Sequence, residues 1–95
     1  MRVELEAPQP NPAHGGTRIG WAIPESHAGL AVDLAVFDLA GRRVRTIASG
    51  PARPGRFSSS WDLRNVHGEG AAAGVYFVRL QIGSESHTAR CVVLR

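Results

Sequence analysis

The chain has 95 residues, a formal net charge of +3 and one cysteine, and all eleven of its basic residues are arginine. This length suits a single domain with a modest core, and Cys91 has no partner for a disulfide within the chain. The absence of lysine excludes a lysine Schiff base, a Walker-type phosphate site and an intramolecular isopeptide bond. The small net charge is weak evidence for a polyanionic partner.

No part of the sequence has the pattern of a membrane span or a secretion signal. No apolar run approaches the roughly 18 residues that cross a bilayer, and the segment 1–6 lacks the apolar stretch of a signal peptide. We therefore expect a soluble domain. If the protein is exported, we expect its signal upstream of Met1.

The first part of the chain contains three runs in which apolar residues alternate with polar or small ones, at 3–6, 17–23 and 31–39. A period of two is typical of half-buried strands. Between the first two runs, prolines at positions 8, 10 and 12 favour an extended segment with few backbone hydrogen bonds. Pro24 ends the second run.

The middle of the chain predicts a hairpin followed by a loop. Gly41 can adopt the positive φ that a tight turn needs, so the segment 44–47 is expected to return as a strand beside 31–39. The segment 49–55 holds two glycines and two prolines, which predicts a loop at a sheet edge.

Three further strands are expected in the second half. The segment 56–61 places Phe57 and Trp61 on one face. The run 74–82 is the most strand-like in the chain, because every second residue from 76 to 82 is apolar, and we predict it to be the central strand. A short turn then leads to a last strand at 86–94.

About seven strands and no helix are expected, with turn signals roughly every 8–12 residues. This pattern predicts an all-β fold of two packed antiparallel sheets, in a single domain that covers residues 1–95. The largest side chains expected to form one core cluster are Trp21, Val36, Trp61, Tyr76 and Leu80. The phenylalanines Phe37, Phe57 and Phe77 are also expected in the core.

Several motifs follow one another in a characteristic order. They are proline–asparagine–proline at 10–12, VFDLAGRRVRTI at 36–47, tryptophan–aspartate at 61–62, GVYFVRL at 74–80 and the terminal RCVVLR. In this order they resemble the immunoglobulin-like C-terminal sorting domain of type IX secretion cargo proteins, and they are similar to the immunoglobulin-like domain of the flagellar hook-capping protein. The sorting family usually has glycine after tryptophan–aspartate, where this chain has Leu63.

The resemblance implies an Ig-like antiparallel β-sandwich of about seven strands that is not an enzyme and is the C-terminal module of a longer exported protein. An outer-membrane export machinery would recognise it after passage through the periplasm and direct the cargo to the cell surface or the medium. The alternative is a structural Ig-like module in extracellular assembly, of the hook-capping type or in a self-associating surface filament. We expect the sorting information in residues 62–95, where the motifs are densest.

No motif predicts a catalytic, cofactor or metal site. Asp62 and Asn65 could begin a cation loop, but too few oxygen ligands follow, so we expect them to accept backbone N–H groups in a turn. The histidines lie apart, without the close pairing of a zinc motif, at His14, His27, His67 and His87. Serine precedes histidine at 26–27 and at 86–87, yet a catalytic triad also needs an orienting acid in the right geometry, and neither pair has an evident nucleophile elbow.

Arginines crowd the predicted hairpin and the loop after it. Because Arg43 and Arg45 are expected on one face, they could bind an anionic glycolipid, a carboxylate-rich protein or a nucleic acid. Alternatively, they could be the charges of an edge strand, which discourage pairing with the edge of another sheet. We expect no nucleic acid, because no exposed aromatic is interleaved with these charges. The residues predicted to touch a partner are Arg43, Arg45, Arg90, Val92, Leu94 and Arg95.

The last strand is expected at a sheet edge, where unpaired backbone groups could pair with another chain by strand addition. The expected partners are therefore proteins of an export machinery or a second copy of the domain. Because an edge strand can lose its end without opening the centre of a sheet, we expect residues 92–95 to matter more for recognition than for folding.

Overall fold

The computed structural model describes residues 2–94, which form seven strands and one short 3₁₀ helix at Glu25–His27. The strands are β1 (Glu4–Leu5), β2 (Thr17–Ile23), β3 (Ala31–Phe37), β4 (Arg43–Pro51), β5 (Gly55–Trp61), β6 (Gly74–Ile82) and β7 (Glu85–Val93). Within residues 2–94, no helix has the length and apolar character needed to cross a membrane.

The strands form a three-stranded sheet in the order β1–β2–β5 and a four-stranded sheet in the order β4–β3–β6–β7. All strand pairs are antiparallel. The predicted all-β, Ig-like sandwich of about seven strands is therefore confirmed. As predicted, β6 lies in the interior of its sheet and β7 lies at an edge.

One apolar cluster fills the space between the two sheets. It contains all five side chains predicted to lie together, namely Trp21, Val36, Trp61, Tyr76 and Leu80. Cys91 belongs to the same cluster, and burial raises the pKa of its thiol. A buried thiol with a raised pKa is poorly reactive, so this cysteine serves packing.

The aromatic centre of the core is built on the long connection between β5 and β6. Trp61 and Tyr76 meet edge to face, with ring centroids 5.7 Å apart. The Trp61 indole N–H donates to the carbonyl of Arg64 at 3.0 Å, and the Tyr76 hydroxyl donates to the carbonyl of Ala72 at 2.5 Å. The second bond is the tyrosine corner of Ig-like sandwiches, in which a tyrosine near the start of this strand holds the preceding loop.

Leu63 occupies the position after tryptophan–aspartate in a left-handed conformation, with φ of 62°. This region is unfavourable for a residue with a side chain and favours glycine, the residue usual in the family that the sequence resembles. The Leu63 side chain is only 3% exposed and belongs to the core cluster. Burial of its side chain therefore offsets the conformational cost of the backbone.

The predicted loop at 49–55 is shorter than expected, because β4 continues to Pro51 and pairs with β3 through Ala31. A proline is tolerated here because β4 lies at the edge of its sheet, where the missing N–H need not remove a ladder bond. The connection to β5 is left with residues 52–54. The predicted turn at Gly41 is confirmed, with φ of 82°.

The proline-rich segment holds the end of β7. The Asn11 side chain donates to the carbonyl of Arg90 and accepts from the N–H of Val92, both at 2.9 Å. The Ala13 N–H donates to the carbonyl of Val92 at 2.7 Å, and the Leu94 N–H donates to the carbonyl of Ala13 at 2.8 Å. We call these four hydrogen bonds the N-terminal clip.

The clip contradicts the expectation that the chain can lose residues 92–95 without opening the core. Val93 is 1% exposed and belongs to the core cluster, and the backbone groups of Val92 on the free side of the strand are already bonded. The end of β7 is therefore part of the folded structure. The sequence alone did not reveal this, because the partners lie about eighty residues away.

Candidate functional site

A row of four side chains, with an arginine at each end and two phenylalanines between them, crosses the outer face of the four-stranded sheet. Arg43 in β4 opposes Phe37 in β3, Phe37 opposes Phe77 in β6, and Phe77 opposes Arg90 in β7. The row faces away from the core, since the other face of β6 is the buried one. Neighbouring strands lie about 4.8 Å apart, so the row spans about 14 Å. We call these four residues the arginine–phenylalanine row.

Two guanidinium groups stack on Phe37 from the strands that flank it. The centre of the Arg43 guanidinium lies 5.1 Å from the ring centroid and that of Arg79 in β6 lies 4.4 Å from it. Both distances are within the range of a cation–π interaction. The Phe37 ring is therefore already occupied by the protein's own cations.

Asp33 neutralises one of these cations. Its two carboxylate oxygens accept from the Arg43 guanidinium at 2.9 and 2.7 Å. The hydrogen bonds from Arg43, together with the charges of Arg43 and Arg79, lower the pKa of Asp33, and the same pairing raises the pKa of Arg43. Arg43 is thus held in place as a paired charge.

Arg90 and Val92 lie on the same outer face. Arg90 is exposed and has no ion pair within residues 2–94. Val92 is half-buried and opposes Val75 in β6, which places an apolar pair beside the arginine–phenylalanine row. Leu94 follows the end of β7 and is 46% exposed. Arg95 lies outside the described residues.

Arg45 does not share a face with Arg43, contrary to the prediction. The register of β4 against β3 shifts between Val36 and Phe37, so that Arg45 opposes the inward-facing Val36 while Arg43 opposes Phe37. Such a bulge reverses the direction of the side chains that follow it. Arg45 instead pairs with Asp62 at 3.3 Å, beside an open groove of about 440 Å³.

The loop after Trp61 is organised by its own polar side chains, as predicted. Asp62 accepts from the N–H of Arg64 at 3.0 Å, and Asn65 accepts from the N–H groups of His67 and Glu69 at 2.9 and 3.0 Å. Within residues 2–94, no group of three or more histidine, cysteine, aspartate or glutamate side chains has a metal-binding arrangement.

The phenylalanines were predicted in the core, and this prediction is wrong. Phe37 and Phe77 are half-buried on the outer face, and Phe57 is 38% exposed and stacks on Trp21 with ring centroids 5.8 Å apart. The alternation of β6 could have pointed to Phe77, since it lies out of phase with the buried residues Tyr76 and Val78. Half-buried aromatics thus lie between arginines on the outer face, which the sequence had not indicated.

Part of the outer edge of β7 is open. In an antiparallel ladder, alternate residues direct their backbone groups to opposite sides, so Ser86 and Thr88 point outward as Val92 does. Neither has a backbone partner on that side within residues 2–94. The outward backbone groups of Ser86 and Thr88 are therefore unpaired in this part of the chain, and β1 of the other sheet lies close to this end of β7.

A polar chain links the short helix to the start of β7. Glu85 lies between two histidines, with one carboxylate oxygen 2.9 Å from His27 Nε2 and the other 2.6 Å from His87 Nε2. The Ser26 hydroxyl lies 2.9 Å from His27 Nδ1. Because a carboxylate only accepts, both Nε2 atoms donate to Glu85. Glu85 directly precedes Ser86 in the sequence, whereas its contact with His27 joins positions 58 apart.

This link predicts an acid-dependent contribution to stability. The hydrogen bonds from His87 and His27 lower the pKa of Glu85. A carboxyl with a lowered pKa contributes its full stability above its ordinary pKa of about 4.3 and loses it as the pH falls through the lowered value. We therefore expect Glu85→Gln to lower the urea midpoint at pH 7 and to reduce the further loss of stability below pH 4.

The matched control is Glu25→Gln, because Glu25 is an exposed carboxylate on the same short helix. It should leave both the midpoint at pH 7 and its pH dependence nearly unchanged. An acid transition of Glu85→Gln that overlays the wild-type curve would contradict the assigned role of the carboxylate.

The comparisons with known proteins agree on the fold. The chain aligns over 99% of its length with 10% of dimeric latent PorU from Porphyromonas gingivalis, with a TM-score of 0.71 and 18% identity. It aligns over 98% of its length with 11% of PorZ from the same organism, an essential bacterial surface component of the type-IX secretion system, with a TM-score of 0.61 and 24% identity.

A third solved structure is the alkylpurine DNA glycosylase AlkC of Pseudomonas fluorescens bound to DNA. The alignment covers 99% of this chain and 31% of AlkC, with a TM-score of 0.57 and 14% identity. The chain thus spans only a part of each of these proteins, and the likeness concerns the sandwich fold. No curated protein matches the sequence. The family of the FlgD Ig-like domain matches residues 8–86, which is most of the chain, and this chain therefore belongs to the FlgD Ig-like domain family.

Proposed function

We propose that this domain is a C-terminal sorting module, which an export machinery of the type IX kind recognises and which directs the longer protein containing it to the cell surface or the medium. The observation that carries the proposal is the alignment over 98% of the chain with a part of PorZ, a surface component of that secretion system. The order of the sequence motifs supports it independently.

In this role the domain performs no chemistry. It would leave the periplasm folded and present surfaces to the export machinery, and any later cleavage or attachment to anionic glycolipid would be carried out by a partner enzyme. The surfaces available for recognition are the outer face with Arg43, Arg90 and Val92, the open edge of β7, and Leu94 just beyond β7.

The whole domain is required for this role, rather than residues 62–95 alone as the motif density had indicated. Those residues contain only β6 and β7. A two-stranded hairpin is at best marginally stable in water, and the buried face of β6 needs the opposite sheet to cover it. A recognised surface made from these strands therefore depends on the other five.

The test is a fusion of residues 1–95 to the C-terminus of a periplasm-directed reporter in a host with type IX secretion. We expect the reporter in the medium or on the cell surface. The control fusion lacks residues 74–95, which removes β6 and β7, and should remain in the periplasm. Equal secretion of the two fusions would contradict the sorting role.

The family match favours a second candidate, a structural module in extracellular assembly of the hook-capping type. In that role the open edge of β7 at Ser86 and Thr88 would pair with another chain or with a second copy. The neighbouring genes discriminate between the two candidates. A large secreted domain encoded upstream in the same chain favours sorting, whereas adjacent flagellar rod and hook genes favour assembly.

A further inference from the structure

The outer face of the four-stranded sheet combines apolar surface with unbalanced positive charge. Its half-buried apolar side chains are Phe37, Val75, Phe77 and Val92. Three arginines, Arg43, Arg79 and Arg90, accompany one carboxylate, Asp33, so the charged side chains of the face carry a net charge of +2. Apolar side chains accompanied by charges of one sign are typical of a surface that docks a partner of the opposite charge.

Arg79 carries a hydrogen-bond donor that the protein does not use. Its Nε atom is buried and has no hydrogen-bond partner within residues 2–94. Buried polar groups in native proteins are nearly always paired, so each exception requires an explanation. Arg79 stacks on Phe37, so the ring fixes the position of its guanidinium group. The guanidinium group of Arg79 is thus held in place, and it makes no ion pair within residues 2–94.

We propose that this face docks an acidic protein segment, whose carboxylates pair with Arg79 and Arg90 while an apolar side chain covers Phe77, Val75 and Val92. The guanidinium fork matches a carboxylate in geometry, and the pairing is stronger than a neutral hydrogen bond. The proposal deepens the sorting role by naming the chemistry of the partner, and it would hold equally for a partner in extracellular assembly.

The same residues argue against a nucleic acid. A single strand binds by stacking its bases on exposed aromatic rings and by contacts to successive phosphates. Phe37 is already stacked by Arg43 and Arg79, and Arg43 is already neutralised by Asp33. Two unpaired arginines also fall short of the clusters of about four to eight basic residues that hold a protein on an anionic membrane.

The test measures binding of a fluorescein-labelled peptide of twelve residues, built from repeats of glutamate–leucine–glutamate, to the intact domain by fluorescence anisotropy. We expect binding that weakens as the salt concentration rises, and weaker binding of the same peptide with glutamine in place of glutamate. Arg90→Gln and Arg79→Gln should each weaken binding by about three- to tenfold, the usual range for loss of one hydrogen bond.

Arg18→Gln is the matched control, because Arg18 is an exposed arginine on β2, in the other sheet. It should bind the peptide as the wild type does. Circular dichroism of each variant confirms that the fold is kept, and Arg90→Gln meets this condition most easily because the side chain is exposed.

Absence of salt-dependent peptide binding by the wild type, or an equal loss with Arg18→Gln, would overturn the proposal. Tighter binding of a twelve-nucleotide oligo(dT) or of phosphatidylglycerol vesicles than of the peptide would also overturn it, in favour of a nucleic acid or a lipid surface. Secretion of the reporter fusion is a separate readout. Peptide binding by a domain that supports no secretion would contradict sorting and leave this surface supported.

Discussion

Trp61→Ala is expected to lower the free energy of unfolding by about 3–5 kcal/mol, the usual range for truncating a buried aromatic residue. Trp61 is 1% exposed and is the largest of the fully buried side chains. Its truncation leaves a cavity against Tyr76 and removes the donor to the carbonyl of Arg64. Since small domains are stable by only about 5–15 kcal/mol, the variant should be close to unfolding, which urea denaturation followed by circular dichroism would show.

Phe57→Ala provides the control within the same strand. Phe57 is 38% exposed and touches Trp21 from the surface, so we expect a loss of only about 1 kcal/mol, the value of an aromatic pair at a partly exposed site. Equal denaturation midpoints for the two variants would contradict the assignment of Trp61 to the core centre and of Phe57 to its margin.

Removal of residues 92–95 is expected to destabilise the domain by about 3–7.5 kcal/mol. Burial of a valine side chain is worth about 1.5–3 kcal/mol, and Val93 is 1% exposed. The truncation also removes three bonds of the N-terminal clip, which join Val92 and Leu94 to Asn11 and Ala13. Each contributes about 0.5–1.5 kcal/mol. Thermal unfolding of the isolated domain measures the sum.

A shorter truncation separates the clip from the exposed chain end. Removal of residues 94–95 keeps Val93 and both clip bonds of Val92 and loses the bond from Leu94, which is 46% exposed. We expect a loss of about 1 kcal/mol from one hydrogen bond. A wild-type melting temperature for the longer truncation would contradict the structural role of the strand end and restore the expectation drawn from the sequence.

The strands could be predicted because their apolar residues keep a strict period of two. The run 17–23 was predicted with the bounds that β2 has in the structure, and the alternation of β6 identified Tyr76 and Leu80 as core residues. Alternation defines two faces but does not say whether a second apolar face is covered. Phe77 was therefore predicted in the core, whereas the two sheets pack only on the opposite side of β6.

Contacts between distant segments and changes of register could not be predicted from the sequence. The bulge in β4 directs Arg43 and Arg45 to different faces, and no residue type at that position predicts a bulge. Asn11 joins β7 through bonds across 79 and 81 positions. The candidate site was accordingly predicted in part. Arg43, Arg90 and Val92 share the outer face, whereas Arg79 became visible as a site residue only through its stacking and its unpaired Nε atom.

The proposed role of the folded domain in export by the type IX route can be tested by the amount of reporter released from the whole-domain fusion in two matched hosts. One host has type IX secretion, and the other is the same strain without its translocation machinery. The proposal predicts release in the first host and retention of folded fusion protein in the periplasm of the second. Equal release from both hosts, or retention in both, would contradict it.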